Sequence, residues 1–216
     1  EILIKSYKMQ FADVFRLSLP FFRKKRMQRF ERIMNPNLET KVLDVGGTPF
    51  NWKQTNHQYQ VVLLNVYDQI SELTSNLTYV KGDGTNLPYE NNSFDIVFSN
   101  SVIEHLGTYE KQKQFASEIR RVGKKIWVQT PVKTFFIEPH TVTPFIHYLP
   151  KNYQKLLLRN FSIWGLTTRP KEERIQRFLE EIRLLNYKEM KQLFPNCDIL
   201  VEKFMGFDKS YIAVKF

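Results

Sequence analysis

The fold of this chain is decided by two stretches of sequence, VLDVGG at residues 42–47 and GDGTNLPYENNSFDIVFSNSVIEHL at residues 82–106. The first is an apolar strand that ends in an acid and runs into paired glycines. The second is an acidic turn followed by another apolar strand. Further apolar runs at 60–66, 77–80 and 125–129 alternate with connecting segments. This alternation predicts an α/β fold with a mostly parallel sheet and helices on both of its faces.

The alternation stops after residue 130, and the chain divides accordingly. We predict a single domain over residues 1–216, with an N-terminal helical cap at 1–36 and a cofactor-binding half at 37–130. Prolines and aromatic residues mark 131–186 as an insertion on the substrate side, which we call the insertion. Residues 187–216 then hold a last helix and two strands that form a terminal antiparallel hairpin around a turn containing glycine.

Composition fits a soluble globular protein, because 42% of the 216 residues are hydrophobic and 25% are charged. The apolar runs are too short to span a membrane, and no stretch has the pattern of a signal peptide. The single cysteine, Cys197, excludes an internal disulfide and any zinc site built from several cysteines. We therefore expect a core thiol and a cytoplasmic protein.

The formal net charge is +10, and part of it is concentrated near the N-terminus. Apolar residues recur at helical spacing through this stretch. Residues 21–34 could therefore form a basic amphipathic helix that touches a membrane surface. The alternative, which we favour, is a solvated outer face on a helix whose apolar stripe covers the core. The cations are Arg23, Lys24, Lys25, Arg26, Arg29 and Arg32, and the apolar residues are Met27, Phe30 and Met34.

The loop after the first strand reads GGTPFNW at residues 46–52 and indicates the kind of cofactor. In an open parallel sheet the ligand binds beyond the carboxyl ends of the strands. Gly46 and Gly47 allow a ligand to approach the backbone closely. A dinucleotide site would need G-x-G-x-x-G and would be opposed by the carboxylate of Asp44. An ammonium group suits Asp44, which favours S-adenosylmethionine.

These stretches together resemble the cofactor half of the class I S-adenosylmethionine-dependent methyltransferases. The resemblance is to the small-molecule group, methyltransferase type 11, which includes quinone-biosynthesis enzymes. It implies a Rossmann-like sheet of seven strands, mostly parallel, that ends in an antiparallel hairpin. It also implies that the reaction transfers a methyl group from S-adenosylmethionine.

The resemblance further implies individual roles in cofactor binding. Asn65, at the end of the second strand, would form hydrogen bonds with the ribose hydroxyls, and Val66 would lie along the face of the adenine. Asp83 would accept from the adenine amine, although it also suits an ordinary turn. Trp52 would cover the methionine tail of the cofactor or enter the core. The predicted binding residues are Asp44, Gly46, Gly47, Thr48, Asn65, Val66, Asp83, Gly84, Thr85, Asn100 and Ser101.

No metal is predicted. Some quinone O-methyltransferases carry E-x-x-E-H at the end of the fourth strand and hold a divalent cation there. In this chain the first acid is replaced by Ser101, which leaves only Glu104 and His105. Two ligands are too few. The chain also lacks the N-P-P-Y of enzymes that methylate adenine or glutamine nitrogen.

Candidates for the catalytic base lie in FFIEPHTVTPFIHYLP at residues 135–150. Glu138 and His140, together with His105, are the predicted catalytic residues, because a histidine suits general-base chemistry near neutral pH. For His140 the alternative role of pinning a lid is equally supported, and for His147 that structural role is favoured. The aromatics of the insertion suit an apolar, lipid-linked or sugar-bearing acceptor: Phe135, Phe136, Phe145, Tyr148 and Trp164.

The leading hypothesis is therefore a methyltransferase that acts on a small-molecule acceptor, with oxygen favoured over nitrogen or carbon as the methylated atom. An RNA methyltransferase is the first alternative, motivated only by the basic charge, and no RNA-binding module supports it. A non-catalytic relative that binds a partner through residues 21–32 is the second. A dinucleotide oxidoreductase comes last. No DNA partner is expected, and the sequence does not indicate an oligomeric state.

Overall fold

The computed structural model describes residues 23–55, 57–68 and 73–216. The helix predicted for the first part of the chain lies outside these residues up to position 22. Its continuation is a helix over residues 23–34, here α1. None of the helices in the described ranges has both the length and the apolar character needed to span a bilayer.

A single sheet of seven strands organises the chain, in the order β3-β2-β1-β4-β5-β9-β8. The first five strands run parallel, whereas β9 is antiparallel to both β5 and β8. This confirms the predicted Rossmann-like sheet with its terminal hairpin. The strands are β1 (Lys41–Val45), β2 (Gln60–Asn65), β3 (Leu77–Lys81), β4 (Phe94–Asn100), β5 (Gly123–Pro131), β8 (Asp198–Phe204) and β9 (Phe207–Lys215).

Helices cover both faces of the sheet, as predicted. A 3-10 helix over Ile103–Leu106 follows β4, and the insertion contributes the short strands β6 (Ile137–Glu138) and β7 (Thr143–Pro144) and a 3-10 helix over Ile146–Tyr148. The α-helices after α1 are α2 (Pro49–Trp52), α3 (Tyr109–Val122), α4 (Lys151–Phe161), α5 (Ile163–Thr168), α6 (Glu172–Glu181) and α7 (Tyr187–Leu193).

The core consists of two layers, one on each side of the sheet. On one side, α3 and α7 bury Phe115, Ile119 and Met190 against the strands. On the other side, Phe30 of α1 and Trp52 of α2 pack on the sheet. Strands buried on both faces explain why β1, β2 and β4 are continuous apolar runs in the sequence.

Helix α1 shows why the basic stretch is amphipathic. Its apolar stripe, Met27, Phe30 and Met34, is at most 2% exposed. The ring of Phe30 meets Trp127 edge-on, with the ring centroids 5.6 Å apart, and the cations Lys24 and Arg32 stay in solvent. The stripe therefore covers the core, which is the role we favoured, and these three side chains are not available to a membrane.

Candidate active site

A cavity of about 320 Å³ opens at the carboxyl ends of β1, β4 and β5. This is the edge at which ligands bind in open parallel sheets. Six of the predicted cofactor residues line it: Asp44, Gly46, Gly47, Thr48, Asn100 and Ser101. The other walls come from α1, from the 3-10 helix after β4, from the insertion and from β9.

The two glycines of the first loop are required by its geometry. Gly46 has a φ of +79°, and a Cβ there would lie 2.4 Å from the side chain of Val102. At Gly47 a Cβ would lie 2.3 Å from the carboxylate of Asp44. No side chain fits at Gly46 or Gly47, so the backbone at these two positions borders the cavity directly. Such a cradle fits a ligand that approaches the main chain closely.

Asp44 lies at the end of β1, almost wholly buried, and is held by Trp52. The indole Nε1 donates a hydrogen bond of 2.8 Å to Oδ2 of Asp44. Trp52 is 1% exposed and packs against Phe30 and Phe98, so it belongs to the core. Burial raises the pKa of Asp44 to about 7, against the opposing effect of the Trp52 hydrogen bond.

The adenosine side of the predicted site lies outside the cavity, at the ends of β2 and β3. The amide of Asn65 is engaged by the backbone: Nδ2 donates to the carbonyl of Gly47 at 3.1 Å, and Oδ1 accepts from the N–H of Val66 at 2.8 Å. A ribose would have to replace these bonds. Val66 is 61% exposed. The ribose and adenine roles of these two residues stay predictions.

The turn after β3 has the geometry of a local acidic turn. Oδ1 of the exposed Asp83 accepts from both the N–H and the hydroxyl of Thr85, each at 2.8 Å. Its other carboxylate oxygen has the capacity to accept from an adenine amine. Gly84 is packed so tightly that a Cβ would lie 2.7 Å from both Val45 and Phe115. The turn is thus fixed firmly, and its role in adenine binding stays a prediction.

The end of β4 is tied to two neighbouring elements. The side chain of Asn100 accepts a 2.8 Å bond from Nη1 of Arg26. Ser101, at a φ of 56°, donates from its hydroxyl to Oε1 of Gln129 at 3.0 Å. Arg26 is in turn paired with Glu202 at 2.7 Å. These bonds fix the edge at which the methionine part of a cofactor is predicted to lie.

Arg26 lines the cavity and is held there by Glu202, but neither residue was predicted to belong to the site. In the sequence Arg26 stands among the cations of a predicted solvated helix face, whereas in the structure it is only 8% exposed, in the cavity wall. The spacing of Arg26 to Phe30 is i to i+4, which places both on one side of a helix. That spacing was the available signal. Glu202, in a hairpin strand, offered none.

The 3-10 helix after β4 directs Glu104 and His105 into the cavity wall. Glu104 is fully buried, and its Oε2 accepts from the hydroxyl of Thr130 at 3.0 Å. In the described part of the chain, its Oε1 has no hydrogen-bond partner. Burial raises the pKa of Glu104 to about 7, opposed by the charge of His140. Burial, and then His140, lower the pKa of His105 to about 4.

The insertion places Glu138 and His140 together beside this helix. Nδ1 of His140 lies 2.6 Å from Oε1 of Glu138, and Oε2 accepts from the N–H and the hydroxyl of Thr141. Burial opposes both charges, but the bond between the two groups outweighs it. The pKa of Glu138 is therefore lowered and that of His140 is raised. The rings of His140 and His105 meet edge-on at 4.8 Å.

The fold thus brings together the three predicted catalytic residues, Glu138, His140 and His105. The fold also brings a third possible metal ligand, His140, to Glu104 and His105, which by themselves are too few to bind a metal. Single ligand atoms of Glu104, His105 and His140 lie within 4.8 Å of one another. This cluster has the residue types of a divalent cation site, so the prediction that no metal binds needs a direct test.

Outside the cavity, His147 has a structural role. Its Nε2 donates to the carbonyl of Lys133 at 3.0 Å, which fixes the start of the insertion. Among the aromatics predicted to surround the acceptor, Phe135 alone is part of the cavity lining. Phe145 and Tyr148 are at least half exposed, and Trp164 lies against Phe178 with ring centroids 5.2 Å apart.

Known proteins resemble this chain in sequence pattern and in fold. The sequence model of the family described as a methyltransferase domain, Methyltransf_11, matches residues 43–125. No curated protein sequence matches the chain.

Three solved structures illustrate the likeness in fold. A methyltransferase of Methanosarcina mazei is 12% identical over 83% of this chain and 92% of its own, with a TM-score of 0.51. Magnesium protoporphyrin IX methyltransferase of Synechocystis, solved with S-adenosylhomocysteine, is 11% identical over 94% of this chain and 85% of its own, with a TM-score of 0.57. Phosphoethanolamine N-methyltransferase 2 of Haemonchus contortus is 17% identical over 82% of this chain and 38% of its own, with a TM-score of 0.55.

The matched residues contain the glycine loop, Asp44 and the end of β4, which border the cavity, and also the turn of Asp83 outside it. The sheet order, the terminal hairpin and the position of the cavity agree with that match. Residues 43–125 thus match a methyltransferase domain, and the chain has the fold of S-adenosylmethionine-dependent methyltransferases.

Proposed function

We propose that this methyltransferase transfers the methyl group to an oxygen atom of a small-molecule acceptor. The observation that supports this proposal is His140, which is bonded to Glu138 and lines the cavity that Asp44 and the glycine loop also border. A hydroxyl acceptor must lose its proton during transfer, and a histidine held by a carboxylate is suited to take it.

The roles of the residues follow from their bonds. When bound, S-adenosylmethionine would supply an electrophilic methyl group: the bond from the acceptor oxygen to the methyl carbon would form as the carbon–sulfur bond breaks, and S-adenosylhomocysteine would leave. Asp44 would hold the ammonium of the cofactor, and the backbone at Gly46 and Gly47 would border its methionine part. Because Nδ1 of His140 is bonded to Glu138, Nε2 would be the nitrogen that accepts the acceptor's proton. Glu138 positions His140 and stabilises its charged form.

The remaining wall indicates the class of acceptor. Phe135 supplies an apolar surface, while Arg23 and Lys209 bring positive charge to the same cavity. A partly apolar molecule that also carries polar or anionic groups would match this lining, which includes lipid-linked and sugar-bearing acceptors. We place the reaction in the cytoplasm, where a lone buried thiol such as Cys197 stays reduced.

Methyl incorporation tests this function. The protein would be incubated with methyl-labelled S-adenosylmethionine and with cell material separated into lipid, small-molecule, protein and RNA fractions. We expect label in the lipid or small-molecule fraction, as an ether or ester that identifies oxygen. Label confined to RNA would support the RNA alternative. Cofactor binding without label in any fraction would favour a non-catalytic relative.

The affinity for S-adenosylmethionine is expected to fall as the pH is lowered. The neutral form of Asp44 cannot attract the ammonium of the cofactor, and its pKa is about 7. Between about pH 8 and about pH 6 the ionised fraction falls roughly tenfold, and the affinity should fall with it. Calorimetry across this range would measure the effect. Asp44→Asn should bind more weakly and lose most of the pH dependence; an unchanged profile would exclude Asp44.

Methyl transfer is expected to be unaffected by EDTA. Ser101 stands at the position of the missing first acid, and its hydroxyl donates to Gln129. Because Nδ1 of His140 is bonded to Glu138, a cation would have to occupy Nε2, which is the nitrogen proposed to take the acceptor's proton. The test compares the rate and the metal content before and after chelation. A rate that falls and is restored by one divalent cation would contradict the prediction and assign Glu104, His105 and His140 as ligands.

A further inference from the structure

The turn between β8 and β9 is apolar where turns are normally polar. Residues 204–207 read FMGF, and the two strands are joined through Met205 and Gly206, whose φ angles are 51° and 84°. Positive φ at both central residues favours Asn or Asp before Gly. A methionine is strained in this conformation. It is nevertheless 78% exposed, and Phe207 beside it is 57% exposed.

Aromatic residues of the insertion extend this apolar turn. The ring of Phe136 lies 5.2 Å from that of Phe207 and 6.4 Å from that of Phe145, and Phe145 in turn stacks on Tyr148 at 6.5 Å. Phe145 is 60% exposed and, like Met205, has a positive φ, here 60°. Two strained backbone positions thus present apolar side chains to solvent. We call residues 204–207 with Phe136, Phe145 and Tyr148 the tip surface.

Positive charge surrounds the tip surface. Lys203 precedes the turn, Lys209 lies over the ring of Phe204 at 5.8 Å, and Lys133 is exposed near the start of the insertion. Asp208, opposite Lys203 in the strand register, is the acid next to the turn. The chain as a whole carries a net charge of +10. Apolar side chains among lysines are the pattern by which proteins attach to anionic lipid surfaces.

We propose that the tip surface docks on lipid bilayers that contain anionic headgroups. A bilayer accepts a projecting turn without needing a complementary pocket, and among the described residues other than its two chain neighbours none has an atom within 4 Å of a Cβ built at Gly206. Insertion of Met205 and Phe207 would bury apolar area that is otherwise in water. The lysines would meet the headgroups.

The tip surface adjoins the cavity, which gives docking a consequence for the acceptor. Phe135, in the cavity wall, lies 4.7 Å from Phe136 and 6.3 Å from Phe204, measured between ring centroids. A molecule anchored in the bilayer would therefore reach the cavity along a short apolar path. This consequence rests on the proposed function, whereas docking itself does not.

Vesicle binding by the full chain, without cofactor, tests the proposal. Vesicles of phosphatidylcholine alone are compared with vesicles that also contain phosphatidylglycerol, and bound protein is measured by sedimentation. We expect binding to the second kind only. In the double variant Met205→Asn and Phe207→Thr, the partition coefficient should fall by about tenfold or more. Asn before Gly suits the turn, so this variant should fold.

Leu38→Asn is the matched control, because Leu38 is also an exposed apolar residue in a turn, at 68%. It should bind vesicles as the parent does. The proposal would be overturned if the double variant bound vesicles as strongly as the parent, or if the control lost as much binding as the double variant. So would self-association or capture of a protein that depends on Met205 and Phe207 without vesicle binding. Vesicle binding without S-adenosylmethionine binding would overturn the proposed function and leave docking intact.

Discussion

Replacement of His140 by alanine is expected to lower the rate of methyl transfer by about 10² to 10⁴ fold, the range in which general bases contribute. Nε2 of His140 is the nitrogen available to a proton, because Nδ1 is bonded to Glu138. The affinity for S-adenosylmethionine should change little, since His140 lies in the insertion and the cofactor residues lie at the strand ends. The rate is measured as label transferred to the methylated fraction, and the affinity by calorimetry.

Two further variants separate catalysis from folding. His147→Ala removes a histidine of the same segment that bonds a backbone carbonyl outside the cavity, so its rate should stay near that of the parent. Glu138→Gln keeps the shape of the side chain but weakens its hydrogen bond to His140, and it should lower kcat more than it raises KM. Full activity in His140→Ala would exclude the base role. Equal losses in both histidine variants would indicate a damaged insertion instead.

Replacement of Gly47 by alanine is expected to weaken S-adenosylmethionine binding by about a hundredfold, which corresponds to roughly 2.7 kcal/mol. The added Cβ would lie 2.3 Å from the carboxylate of Asp44. The carboxylate would have to move away from Trp52, or the loop would have to move into the cavity. Either movement disturbs Asp44, the group proposed to hold the ammonium of the cofactor. Titration calorimetry measures the affinity, and the thermal midpoint reports on folding.

Gly206→Asn provides the comparison for Gly47→Ala. Gly206 has a positive φ, which Asn tolerates, and the space around it is open. Its affinity for the cofactor should equal that of the parent. If Gly47→Ala also binds with the parent's affinity, the cofactor does not approach the loop as proposed. If only the thermal midpoint falls, the glycine serves packing alone.

Local patterns were sufficient to predict the sheet. Each strand from β1 to β5 is an apolar run bounded by glycine, proline or polar residues, and burial on both faces allows few other patterns. One boundary differs slightly: β5 begins at Gly123, two residues before the apolar run at 125–129. At Gly123 the helix ends and the strand starts without a loop, and composition does not reveal so abrupt a change.

Half of the site could also be predicted, for the same local reason. Asp44, Gly46, Gly47, Asn100 and Ser101 lie at the carboxyl ends of strands or directly after them, and the ends of neighbouring parallel strands meet at one edge of a sheet. The second half comes from distant segments. Arg26 is held by Glu202, 176 residues away in the sequence, and neither residue stands in a recognisable motif.

The sequence by itself determined the fold and the kind of cofactor and predicted the edge of the sheet for its binding, because strand periodicity, glycine loops and strand-end acids act over a few residues. The tertiary structure alone decided what faces that edge. It placed His140 beside His105 and Glu104, it left one oxygen of Glu104 without a partner in the described chain, and it exposed an apolar turn beside the cavity. These arrangements depend on the path of the insertion and on strand register, which bring together residues with no shared local pattern.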